Sequence, residues 1–140
     1  MEMSMGGSQR KTSYLLAAFG LFAIMTTIVG YSGWYERLTR NRNEAIVTDA
    51  ERIIDAAQLW FARPVIYGGG DRSFVGLDFQ RLGMSDTAGA MTVERAGVKY
   101  GLQNITANTF DLRVEAPDGM VWEAQNIGFD TRPELKLAVK

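Results

Sequence analysis

Between Lys11 and Glu36 the chain carries no charged residue, and that gap constrains the fold more than any motif does. Residues 14–30 are almost all apolar or small. As a helix, residues 14–35 would extend roughly 32 Å at about 1.5 Å per residue, close to the hydrocarbon thickness of a bilayer. Tyr14 stands at one end and Tyr31, Trp34 and Tyr35 at the other, the positions that interfacial aromatics take. The expectation is a membrane helix. A cleaved secretory signal competes with it, because Arg10 and Lys11 supply a short basic start. The apolar region is longer than a signal core, however, and its only small-residue cleavage site, Ser32-Gly33, is flanked by aromatics.

Past residue 35 the pattern stays helical and becomes amphipathic. Leu38, Ala45, Ile46, Ala50, Ile53, Ala57 and Trp60 recur at steps of three and four, with Val47, Ile54 and Phe61 widening the stripe. Pro64 ends the helix, since it disfavours helical geometry at Arg63 and has no amide to donate. Gly68, Gly69 and Gly70 follow in an irregular stretch. A phosphate loop needs a lysine and a hydroxyl residue directly after its last glycine, and Asp71 stands there instead. The glycines therefore read as freedom to change direction.

From Met91 onward the period drops to two. Met91/Val93, Val98/Tyr100/Leu102, Phe110/Leu112/Val114/Ala116, Met120/Trp122/Ala124 and Leu135/Leu137/Val139 form the apolar sides of five strands. Pro117-Asp118-Gly119 marks a tight turn between the third and fourth. One-sided strands favour an antiparallel meander over a parallel sheet. The apolar face of so small a sheet needs a cover, and the stripe through Ile46, Ile53, Ala57 and Trp60 supplies one. The expected class is α+β: a long N-terminal helix, membrane-spanning in its first half and amphipathic in its second, packed under a small antiparallel β-sheet head. The division is a leader at 1–7, the long helix at 8–63 (anchor about 13–35, amphipathic 36–63), an irregular connection at 64–90 and the β head at 91–140.

Cysteine and histidine are both absent. Disulfides, thiolate metal sites, thiol nucleophiles and imidazole acid–base chemistry are thereby excluded. No carboxylate, lysine and tyrosine set stands at a spacing that points to a shared site, so the chain reads as non-enzymatic, with no cofactor and no metal. Asp71, Asp78 and Asp86 match no calcium loop and read as solvated surface. Trp60, Phe61, Phe19, Phe22 and Tyr35 read as packing residues rather than an aromatic path. Net charge is −1, which calls for no nucleic acid.

The whole arrangement resembles the type IV pilin and pseudopilin family. The strings Ala56-Ala57-Gln58-Leu59-Trp60-Phe61-Ala62-Arg63-Pro64, Gly68-Gly69-Gly70 and Ser73-Phe74-Val75-Gly76 are similar to the helix end and following loop of pilin-like proteins. The resemblance implies a short hydrophilic leader cut by a prepilin peptidase after glycine, which fits cleavage between Gly7 and Ser8. The family's glutamate five residues into the mature chain is replaced here by Thr12, and the pair of cysteines common in such heads is missing. The resemblance further implies storage in the inner membrane, then extraction by pilus assembly machinery into an extracellular filament on the cell surface. Tyr14, Leu15, Leu16, Phe19, Phe22, Ile24, Met25, Ile28 and Val29 would exchange lipid for one another in the filament core of a helical homopolymer. Gly20 and Gly30 would permit local unwinding there. Arg37, Arg40 and Arg42 are candidate intersubunit charges, or else a solvated basic turn after the span. The positive-inside count, two basic residues before the span against three after, slightly favours a cytoplasmic head, whereas the resemblance places it outside. Two other classes stay open: a single-span component of an envelope or secretion complex, and a tethered binding domain using the loops at 68–70 and 126–133.

Overall fold

The computed structural model of the chain describes residues 6–139, with side chains described at 14–21, 23–25 and 30–138. Helix α1 (Gly6–Ala62) is followed by a short 3-10 turn (Val65–Tyr67) and five strands: β1 (Thr92–Arg95), β2 (Val98–Gln103), β3 (Phe110–Glu115), β4 (Val121–Ile127) and β5 (Lys136–Val139). The strands form one sheet in the order β1-β2-β3-β4-β5, every neighbouring pair antiparallel. The fold is α+β, a long N-terminal helix packed with a small antiparallel meander. Two compact units divide the chain, Met1–Asn43 and Glu44–Lys140, so the helix from Glu44 onward belongs with the sheet, while residues 36–43 of the amphipathic part fall in the first unit.

In the second unit the helix presents Ile46, Ala50, Ile53, Ala57 and Trp60, all at most 3 % exposed. Their spacing of four, three, four and three residues keeps them on one side of a 3.6-residue helix. They share a core with Tyr100 and Leu102 of β2 and with Phe110, Leu112 and Val114 of β3. Burial of each large side chain stabilises this unit by about 1.5–3 kcal/mol.

The helix stops at Ala62, two residues before Pro64. Its last carbonyls are closed by the glycine loop: the Gly70 amide donates to the Trp60 carbonyl at 2.8 Å, Arg72 to Phe61 at 2.7 Å and Asp71 to Arg63 at 3.0 Å. Orphan carbonyls at a helix end are thus satisfied by backbone alone. Only Gly68, at φ +76°, uses the left-handed freedom of glycine; Gly69 and Gly70 are there for space. A Cβ on Gly69 would lie 2.0 Å from the Arg63 carbonyl oxygen, and one on Gly70 would lie 2.5 Å from Trp60 Cζ3.

Several expectations need correction. Within the irregular connection at 64–90, Phe74, Leu77 and Phe79 are fully buried in the core, and Asp78, expected on the solvated surface, is buried with them. β4 does not alternate throughout. Leu112 faces Ala124, whereas Phe110 faces Ile127, so β4 carries an extra residue between them. Asn126 there takes φ +57°, and its amide donates to Asp111 Oδ1 at 2.8 Å. This bulge brings Ile127 back to the core. Met91 and Leu137 were expected on the inner face and are 43 % and 46 % exposed, since each sits at a sheet edge where no further strand covers it.

Candidate functional site

In the first unit, the large apolar side chains of helix α1 are exposed among the described residues. Tyr14, Leu15, Leu16, Phe19, Ile24 and Met25 are all at least 60 % exposed, and Tyr31, Trp34 and Tyr35 are similarly bare. The stretch is long and apolar enough to cross a membrane. Water is a poor solvent for such a surface, which is compatible with insertion into a membrane. The side chains of Phe22, Ile28 and Val29, expected in the same surface, lie outside the described residues, as do Met1–Met5 of the expected leader. Gly7 and Ser8, the expected cleavage pair, fall within the backbone span of α1. The helix also runs unbroken through Gly20 and Gly30, where no side chain lies within 4 Å of an added Cβ.

Past the aromatics come the arginines. Arg37 and Arg40 are exposed and Arg42 is half-buried. Among the described residues neither Arg37 nor Arg40 takes part in an ion pair.

In the second unit the helix has a buried side and an outer side. Ile46, Ile53, Ala57 and Trp60 are all on the buried side. Glu44, Thr48, Glu51, Asp55, Leu59 and Ala62 are all exposed, at spacings of three and four that keep them on one outer stripe. The segment after β4 is clamped beside this stripe. Gln58 Nε2 donates to the Gly128 carbonyl at 2.9 Å, and Arg132 donates to Gln58 Oε1 and pairs with Asp55. A groove of about 380 Å³ runs beside the clamp between Val47, Glu51 and Ile54 of the helix and Pro133 and Leu135. The clamp has no local sequence signal, because Arg132 lies 77 residues from Asp55.

Asp78 is buried, and its carboxylate accepts the Arg81 amide at 2.7 Å and the Gly89 amide at 3.2 Å. Arg81 in turn lies over the Trp60 ring, 5.8 Å from its centroid. Asp71 and Asp86 are exposed. Among the described residues, no group of three His, Cys, Asp or Glu side chains could hold a metal ion. Phe61 stacks with the exposed Phe129 at 5.3 Å and meets the buried Phe74 at 4.6 Å, which is packing at the margin of the core. Comparison with protein-family models, curated proteins and solved structures gives no match.

Proposed function

We propose that this protein is a structural subunit of a type IV pilus-like extracellular filament, polymerising through its apolar N-terminal helix. The observation that carries the reading is the exposure of Leu16, Phe19 and Met25 at 64–72 % on a helix whose continuation covers a small sheet. Such a helix rests in a bilayer until other copies replace the lipid. That exchange is nearly neutral for apolar burial, because lipid tails are as apolar as leucine, so close packing repeated along many copies supplies the preference. The head then remains outside the membrane and decorates the fibre, and the role is mechanical rather than catalytic.

A second reading, a single-span component of an envelope or secretion complex, draws on Thr12, which stands where the pilin family that the sequence resembles carries glutamate. Intact mass and electron microscopy of protein sheared from the cell surface separate the two. Thin fibres built from a chain beginning at Ser8 support the filament. A chain beginning at Met1 and found only in the membrane pellet overturns it.

A further inference from the structure

Charge is unevenly divided between the two units. Residues 1–43 hold five basic and two acidic side chains, a balance of +3, and residues 44–140 hold ten and fourteen, a balance of −4, which together make the net −1. The basic excess is concentrated where the apolar stretch ends, at Arg37 and Arg40, beside Trp34 and Leu38, which are 58 % and 48 % exposed.

The outer side of the helix in the second unit has the opposite character. Glu44 and Glu51 are exposed and enter no ion pair among the described residues. Seven residues apart, they point the same way from a helix of 3.6 residues per turn. Val47, 45 % exposed, lies between them. The other acids of this helical stretch are already occupied, Asp55 by Arg132 and Asp49 by Arg52. Glu44 and Glu51 are thus left for something that brings positive charge and an apolar neighbour together.

We propose that the outer side of this helix, centred on Glu44, Val47 and Glu51, docks the Arg37 and Arg40 collar of a second copy of the chain. The proposal rests on the filament reading and names its contact. Trp34 and Leu38 of one copy cover Val47 of the other, while the guanidinium groups meet the two carboxylates. An anionic bilayer is the poorer occupant, because it repels the acidic side of the contact. Complementary charges of this kind set register and exclude wrong alignments more than they add affinity.

The chain has no cysteine of its own, so a cross-link can test the contact. Arg40→Cys and Glu51→Cys are placed in two differently tagged full-length copies, co-expressed in the membrane and mildly oxidised. The mixed dimer should exceed either same-site dimer by about tenfold, the ratio that roughly 1.4 kcal/mol of preference sets. In the same pair, adding Arg37→Glu should abolish the mixed dimer, and adding Glu44→Arg to the partner should restore it. Same-site dimers as abundant as mixed ones, or a mixed dimer indifferent to Arg37→Glu, would overturn the proposal. Imaging the same cells keeps it separate from its premise. Fibres without the mixed cross-link refute this contact alone, and the mixed cross-link without fibres refutes the filament and leaves the contact standing.

Discussion

The buried Tyr100 phenol of the second strand feels the Asp49 carboxylate of the helix that covers it. Tyr100 is 1 % exposed, and its phenol is pushed up to about 12, first by burial, then by Asp49, against a smaller opposing effect of Arg95. The folded chain therefore holds this proton more tightly than the unfolded chain, whose phenol titrates near 10. Its contribution is complete below about pH 10 and drains away as pH rises toward 12, by on the order of 1 kcal/mol per unit. Thermal unfolding of the full chain in detergent should show this alkaline loss. Tyr100→Phe, which removes the titrating phenol, should flatten it.

The two sides of the amphipathic helix should respond oppositely to truncation. Ile53→Ala removes a fully buried side chain and should cost about 2–5 kcal/mol. Leu59→Ala, at a position 67 % exposed, should change stability by less than about 0.5 kcal/mol. Equal losses in denaturant titration would show that the second unit is packed differently.

Glycine matters for different reasons within one loop. Gly70→Ala drives a methyl group against Trp60 Cζ3 and to 2.2 Å from the Ser73 carbonyl oxygen, so it should cost about 1–3 kcal/mol by overpacking. Gly68→Ala meets no atom within 4 Å and bears only the left-handed backbone penalty, about 1 kcal/mol. The melting temperatures should fall in that order, Gly70→Ala lowest.

Asp78 holds the long connection closed from within. Asp78→Ala strands the amides of Arg81 and Gly89 and frees the arginine that lies over Trp60. A loss of about 1–3 kcal/mol follows from the unmet donors. Asp78→Asn keeps one acceptor and should recover part of it. Hydrogen exchange at Gly89 should accelerate in the alanine variant well before global unfolding does.

Regular periods made part of this architecture legible in the sequence. Ile46, Ile53, Ala57 and Trp60 stood out because a helix returns to one face every three or four residues, and Pro64 marked its end within two residues. The strands around Tyr100 and Leu112 were readable for the same reason, at period two. Phe74, Leu77 and Phe79 escaped because an irregular segment enters a core without a period. The shift at Asn126 depended on a distant carboxylate, Asp111, and the clamp of Arg132 on Asp55 and Gln58 paired residues that only the fold brings together. Leu137 alternated correctly but lay on an edge strand, where alternation does not guarantee burial. For the candidate surface, the charge-free run was plain from composition, whereas the unoccupied state of Glu44 and Glu51 emerged only once the partners of Asp49 and Asp55 were known.

The turn at Val65–Tyr67 has a practical consequence. Its side chains are 66 %, 83 % and 70 % exposed, and the turn is closed by hydrogen bonds that the Tyr67 amide donates to the Pro64 carbonyl and the Gly68 amide to the Val65 carbonyl. Identity is thus uncoupled from shape at these three positions. A dye, an epitope or a few foreign residues placed at Ile66 would ride on the head at no cost to its core, which makes this turn the natural handle for tracking the protein in living cells.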